Sequence, residues 1–376
     1  MIFALLCLST VAIGILLART YRTLGYYQFV QASRPLSEPP SVSVCIAARN
    51  ETHALAQCLE RVLKSDYKKL EVLVLDDSST DDTSLIIKSF ANAGVRFIPG
   101  KALPDGWLGK NHAYQILADE ASGDVLLYID VDTKLENSSI SKIVGWLETT
   151  NLSMVSLLPR REDTERLSAL VGTMRYYWEL LLGTKQSPPA SSAIWMVRAD
   201  VLKQDGIGLA HYGMSVRPER HLARQLQRND SYRYAIGTKD LGVSYEKHLP
   251  SQYETALRLY YPATGRNIFL WASASLYLML LLAPIGLLIF VQWNIWMSLW
   301  STALIVLTAL SFGMFVQVTY GGPLKPLRIA VGPLLVVQEL VLLASSYFRY
   351  RHGAVTWKGR LVNAQPEHRD ALELNE

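Results

Sequence analysis

Residues 125–132 read VLLYIDVD, an unbroken apolar run that ends in two carboxylates, Asp130 and Asp132, separated by a single valine. Five apolar residues closed by a polar cluster predict a short strand covered on both faces. The same figure occurs twice upstream. VSVCIAA (42–48) runs into Arg49-Asn50-Glu51, and LEVLVL (70–75) runs into Asp76-Asp77. Between these strands the apolar residues change period: Leu55, Cys58, Leu59, Val62 and Leu63 recur at helical spacing, and 84–91 and 110–121 read as further helices around a short strand at 95–98. Apolar strands alternating with helices predict a parallel sheet with helices on both faces. Ligands of such sheets bind beyond the C-terminal strand ends, and the polar clusters sit at those ends.

Each cluster has a chemistry. Two carboxylates at one strand end attract a hard divalent cation that can share a diphosphate, and such a cation acts as a Lewis acid on a leaving phosphate. Asp76 and Asp77 can accept hydrogen bonds from a base or a ribose, while the Ser, Thr and Asp residues that follow, Asp81 included, are also good helix caps. Gly109-Lys110 opens a helix just after Pro104-Asp105-Gly106-Trp107, and a lysine beside free backbone N–H groups suits a diphosphate. Trp107 either stacks on a ligand or holds its own loop.

The remainder of the chain is apolar. Of 376 residues, 50% are hydrophobic and 19% charged, and the net charge of +4 is too small and scattered to suggest nucleic acid. Cys7, Cys45 and Cys58 have no metal-ligand spacing and suggest no disulfide framework. Residues 1–18 carry no charge and are followed by Arg19 and Arg22, the order expected of an uncleaved anchor with its C-terminal side in the cytoplasm. No Asp, Glu, Lys or Arg occurs from 267 to 324, which predicts spans at about 268–291 and 295–318 joined near residues 292–294. A third apolar segment, 329–347, holds Gly332-Pro333 and Glu339 and precedes Arg349, Arg351, Lys358 and Arg360. A full third span would put those cations outside, so a re-entrant or interfacial hairpin is expected there. Glu339 in such a segment is a functional candidate by default. Residues 165–183 form an aromatic amphipathic helical pattern suited to a membrane interface or to a core.

Taken together, residues 44–51, LVLDDSSTDDT (73–83), GK-x-x-A (109–113) and DVD (130–132) resemble family 2 glycosyltransferases of the GT-A fold over about 100 residues. SSAIWMVRADVLKQDGIG (191–208) is similar to the strand and turn before that family's acceptor loop. GAVTWKGR (353–360) resembles a C-terminal motif of its lipid-modifying members. Within the family the chain most resembles the branch that glycosylates carotenoid acids, with hopanoid and ceramide glycosyltransferases as neighbours. The resemblance implies an α/β GT-A domain at 41–250, after an anchor at 1–20 and a linker at 21–40 that joins the Pro/Ser-rich stretch 31–41. An interfacial segment at 251–266, transmembrane or re-entrant helices at 267–348 and a tail at 349–376 complete the expectation.

It further implies a donor site of Ala48, Asn50, Glu51, Asp76, Asp77, Lys110 and Asp130, and Mg²⁺ or Mn²⁺ held by Asp130 and Asp132. The donor would be a nucleotide sugar, UDP-glucose foremost, and the acceptor an apolar lipid or terpenoid admitted from the membrane. The expected location is the cell membrane, multi-pass, with the catalytic domain cytoplasmic. The family's Glu-Asp before a Leu-Ala helix is altered here to Pro218-Glu219-Arg220-His221, which leaves Glu219 as the candidate base. A carboxylic acid acceptor is ionised at pH 7 and needs a cation more than a base, so Arg220, His221 and Trp107 are assigned to the acceptor. The rival expectation is a non-catalytic membrane scaffold that retains the nucleotide fold.

Overall fold

The computed structural model describes residues 1–27, 36–163, 166–203, 208–291 and 294–362. Parts of the expected linker, of the 191–208 stretch, of the 292–294 joint and of the C-terminal tail lie outside the described residues. The chain divides into two compact units, one of Gln28–Arg161 and Gly183–Glu246, the other of Met1–Tyr27, Glu162–Leu182 and Lys247–Glu376.

The first unit is the α/β body. Its strands are β1 (Val42–Ala48), β2 (Leu70–Asp76), β3 (Val95–Pro99), β4 (Val125–Ile129), β5 (Thr133–Leu135), β6 (Met154–Leu158), β7 (Arg160–Arg161), β8 (Ile194–Arg198), β9 (Tyr232–Ile236) and β10 (Val243–Tyr245). Seven form one sheet in the order β3-β2-β1-β4-β8-β6-β9, and a small sheet runs β5-β10-β7. β1 lies parallel to both β2 and β4, pairing Ala48 with Asp76 and Cys45 with Tyr128. β8 runs antiparallel to β4 and to β6, so the sheet is mixed rather than parallel throughout. The run IWMVR is as apolar as the parallel strands, and its direction is set by the path of the chain, which the hydrophobic pattern does not encode. Val42, Val44, Ile46, Val72, Val74, Val125 and Leu127 pack one continuous core. Elsewhere in the body Tyr128 stacks on Trp195 at 4.1 Å, and Tyr114 of the helix Gly109–Glu120 meets both rings.

The second unit is helical. Ile2–Tyr26, Ile268–Val291, Ile295–Thr319 and Lys325–Arg351 are each long and apolar enough to cross a membrane. The first helix extends six residues past the expected anchor. It runs in the same direction as Ile295–Thr319, since Phe3 meets Trp300 edge-on and Thr20 Oγ1 lies 2.8 Å from Ser311 Oγ. The fourth helix is unbroken from Lys325 to Arg351, where a hairpin was expected. Proline lacks an N–H and costs an interior hydrogen bond, but Pro333 is accommodated beside Gly332, whose backbone lies against Phe312: a Cβ on Gly332 would fall 2.4 Å from that ring. Near its other end the same helix stacks Tyr347 on Trp271 at 4.7 Å. Phe312 and Trp271 lie at the same end of the antiparallel hairpin formed by the second and third helices. The fourth helix therefore lies across that end instead of threading alongside.

The pattern at 165–183 forms two helices, Arg166–Val171 and Arg175–Leu182, rather than one. The break at Gly172–Met174 is held by buried side chains. Arg328 donates to the carbonyls of Ala169 and Gly172 at 2.6 and 2.8 Å. Gln252 Oε1 accepts from Thr173 N at 3.1 Å, and Glu339 accepts from Met174 N and from Trp178 Nε1, both at 3.0 Å, and from the Tyr260 hydroxyl.

Val at position 332 should drive the fourth helix off Phe312. Gly332→Val is expected to destabilise the protein by about 1–3 kcal/mol, read as a lowered thermal unfolding midpoint in detergent, whereas Gly286→Val, with no atom near its Cβ position, should leave the midpoint nearly unchanged.

Candidate active site

The parallel registers bring the ends of β1, β2 and β3 to one level, with Ala48 beside Asp76 and Asp76 beside Pro99. The turn after β2 is heavily braced. Asp76 accepts from Ser79 N at 3.0 Å and from the Ser84 hydroxyl, so its carboxylate builds the turn and the start of the helix Thr83–Ser89. Arg49 donates to the carbonyls of Asp77 and Ser78. Asn50, at φ 52°, accepts from Thr80 N at 2.9 Å and donates its own N–H to Ser79 Oγ at 3.0 Å. Thr83 Oγ1 accepts from Glu51 N at 2.9 Å. Asp77 is buried, and its N–H donates to Ala48 O at 2.8 Å. Gly100 closes over this turn so tightly that a Cβ there would lie 2.6 Å from Asp76 O. Asn50, Glu51, Asp76 and Asp77 thus form one braced shelf at the strand ends.

Beyond β4, Asp130 meets Lys110: Nζ lies 2.5 Å from Oδ1. Lys110 comes from the second residue of the helix Gly109–Glu120, and the aromatic packing of Tyr114 on Tyr128 and Trp195 sets that helix over the sheet. Burial disfavours the Lys110 ammonium, but Asp130 and Tyr114 outweigh it and hold its pKa above the ordinary lysine value. Burial likewise raises the Tyr114 hydroxyl, Lys110 pulls it down, and Asp130 and Glu219 push it up again. Glu219 itself is only 1% exposed. The Cys58 thiol is pushed up to about 12 by burial first, and then by the negative charges of Asp132, Glu51 and Asp130.

Among the described residues no three His, Cys, Asp or Glu side chains converge on a metal position. A pair of aspartates nevertheless fits the manner in which Mg²⁺ and Mn²⁺ are held, through one or two carboxylates with phosphate oxygens supplying further ligands.

The candidate base sits in the first turn of the helix Pro218–Arg228, where an acidic residue complements the helix dipole. The preceding loop is fastened by a residue that sequence reasoning passed over. Asn111, 2% exposed, directs Nδ2 at the carbonyls of Tyr212, Gly213 and Ser215 at 2.7–2.9 Å. Trp107 lies against Gly213 of this loop, whose Cβ would fall 2.9 Å from its ring. His221 stacks on Tyr212 at 4.8 Å with an 11° interplanar angle and is buried. Asn111, Tyr114 and Gly100 carried no signal in the sequence, because each acts on groups far away along the chain.

This architecture has relatives. The model for glycosyl transferase family 2 matches residues 43–206. An N-acetylglucosaminyltransferase of Bradyrhizobium sp. (strain ANU 289) is 32% identical over 141 residues, 34% of this chain and 90% of that protein. The chain belongs to glycosyl transferase family 2. Within the family, the 4,4'-diaponeurosporenoate glycosyltransferase of Staphylococcus haemolyticus is 33% identical over 139 residues, 36% of each chain. The chain spans 36–41% of the length of the first curated relatives it matches. Among solved structures, the mannosyltransferase PcManGT from Pyrobaculum calidifontis in complex with GDP-Man and Mn²⁺ superposes with a TM-score of 0.55, covering 93% of this chain and 98% of its own at 16% identity. That likeness establishes the GT-A-like fold.

Asn111→Ala should release the carbonyls of the 212–215 loop. A loss of about 1–3 kcal/mol in stability is expected, with faster hydrogen exchange concentrated in the peptide covering 212–221; unchanged exchange there would contradict the role assigned to Asn111.

Proposed function

We propose that this chain is a membrane-bound, inverting glycosyltransferase that moves glucose from UDP-glucose to a terpenoid carboxylic acid of the carotenoid type, forming a glycosyl ester. The observation that carries the reading is the ion pair of Lys110 with Asp130 just beyond the C-terminal end of β4, with Lys110 Nζ 5.3 Å from the centre of the Tyr114 ring. The likeness to the diaponeurosporenoate glycosyltransferase supports the acceptor class.

In this reading Asp77 and the braced turn receive the uridine, with Asn50 and Glu51 shaping the shelf and Ala48 leaving room beside it. Asp76 acts through the turn it builds. Lys110 places a positive charge at the donor's diphosphate, on the first turn of a helix whose N–H groups point the same way. Asp130 and Asp132 would hold Mg²⁺ or Mn²⁺ with the diphosphate; when bound, such an ion neutralises charge on the departing group. The acceptor oxygen forms its bond to the anomeric carbon as the bond to the diphosphate breaks, and the nucleoside diphosphate leaves. Arg220 orients an acceptor carboxylate by a charge-assisted hydrogen bond, and His221 and Trp107 hold the surrounding loop.

A second reading has its own observation. Glu219 is buried at the start of its helix, and in this reading it acts as the general base. A base is needed if the acceptor is a lipid hydroxyl, as in a hopanoid, a ceramide or a polyprenyl lipid.

The apolar helices hold the chain where such acceptors dissolve. Because the fourth helix lies across one end of the bundle, its cations Lys325, Arg349 and Arg351 share that end with Arg19 and Arg22 of the first helix. By the positive-inside tendency this end is cytoplasmic and three helices cross the membrane.

Membranes carrying the protein, given UDP-glucose and Mg²⁺ with a carotenoid acid, a hopanoid and ceramide, should yield a glucosyl ester by mass spectrometry. Asp132→Ala should abolish it. Glu219→Gln separates the readings: transfer to a carboxylic acid should survive, while transfer to a hydroxyl should fall roughly 10²–10⁴-fold. Absence of every product, together with no Asp132-dependent hydrolysis of the donor, would leave a scaffold.

A further inference from the structure

Six described residues other than glycine have positive φ: Asn50, Ser78, Asn151, Asp230, Arg266 and Lys358. Asn and Asp tolerate the left-handed region because their short side chains can bond locally, and Ser78 is small. Arg266 (φ 53°) and Lys358 (φ 45°) have no such excuse, and both lie in one cluster of the helical unit. A backbone held in a sparsely populated region by its surroundings is a starting point for a functional hypothesis.

Lys358 belongs to the Trp-Lys-Gly-Arg motif. Thr356–Trp357 pairs with Arg360–Leu361, Trp357 opposite Arg360, so Lys358 and Gly359 (φ 79°) are the two turn residues of a tight hairpin. The Arg258 guanidinium lies 5.2 Å from the Trp357 ring centre, and Lys358 Nζ lies 5.9 Å from it. Tyr350 OH donates to Arg258 O at 2.8 Å, and Arg266 lies over the Tyr350 ring at 4.7 Å. Three cations are thus interleaved with two aromatic rings. Arg349, Arg351 and Arg360 flank them in sequence, and Glu254 accepts from Lys358 N at 3.3 Å.

The Nε and Nη2 atoms of Arg266 are buried, and neither finds a hydrogen-bond acceptor among the described residues. Buried polar groups are normally bonded, and a guanidinium lacking acceptors in the protein is suited to receive them from a ligand. Its position says which ligand. Asn267, the next residue, accepts from Phe269 N at 2.8 Å at the start of the membrane helix Ile268–Val291. Ile268, Phe269 and Leu270 are exposed, Phe269 at 78%. Trp271, Tyr347 and Tyr261 add the aromatic belt found at headgroup depth. A cation that lacks acceptors, at the mouth of a span and beside bare apolar side chains, matches a phosphate joined to acyl chains.

We propose that Arg266, with Arg258 and Lys358, forms a binding site for the phosphate headgroup of an anionic phospholipid of the surrounding bilayer. The site requires neither the donor nor the acceptor of the glycosyl transfer. Its test is native mass spectrometry of the full-length protein released from nanodiscs of mixed phosphatidylcholine and phosphatidylglycerol. The wild type should retain phosphatidylglycerol. Arg266→Gln should lower that occupancy roughly tenfold, the equivalent of one lost charge-assisted hydrogen bond, and Arg266→Lys should retain an intermediate amount. Equal retention by Arg266→Gln overturns the proposal. Displacement of the lipid by inorganic phosphate also overturns it, in favour of a free phosphate as the ligand. Metal-dependent hydrolysis of UDP-glucose in the same preparations reports the catalytic unit separately. It should match wild type in every variant, and its absence from the wild type would count against the transferase reading while leaving the lipid result standing.

Discussion

The α/β body depends on the register of one strand. β1 is hydrogen-bonded along both edges, Ala48 level with Asp76 on one side and Cys45 level with Tyr128 on the other. β1 is buried on nearly its whole length, so a slip of one residue would exchange its two faces and force every side chain into packing shaped for its neighbour. The core therefore locks the register, and the register sets where the strands end. The acidic shelf after β2 and the aspartates after β4 share an edge of the sheet for this reason.

Charge in that edge is organised by packing. Tyr114 sits on Tyr128 and Trp195, and one helical turn away Lys110 reaches Asp130. Asn111, on the same turn, ties down the loop that leads to Glu219. The helix Gly109–Glu120 thus positions the groups assigned to the donor and, through the loop, the group assigned as base. In low-dielectric surroundings such placement is worth more than the same charges in water.

The helical unit solves a different problem. Its short helices near 172–174 leave backbone groups that no regular structure satisfies, and Arg328, Gln252 and Glu339 supply the partners. Glu339, an ionisable residue in an apolar segment and so a functional candidate on sequence grounds, is a clamp in the structure. Arg328 is buried for the same purpose. Irregular backbone within apolar surroundings is tolerated where side chains complete its hydrogen bonds.

The strand-helix alternation, the acidic strand ends, the Gly-Lys helix start and the apolar helices were all legible in the sequence, since each is a local pattern in which periodicity reports burial. The antiparallel course of β8, the break at 172–174 and the path of the fourth helix were not. Strand direction and helix orientation are decided by where the chain must return, and Gly332 against Phe312 has no counterpart in the spacing of residues 325–351. The contact of Trp107 with Gly213 and the bonds of Asn111 to the 212–215 carbonyls have no local signature, because their partners lie far away in sequence, and the unmet bonding capacity of Arg266 is visible only in the folded chain. Local periodicity determines which segments fold and which face they bury. Pairing across the chain decides which polar groups are satisfied within the protein and which are left for a ligand.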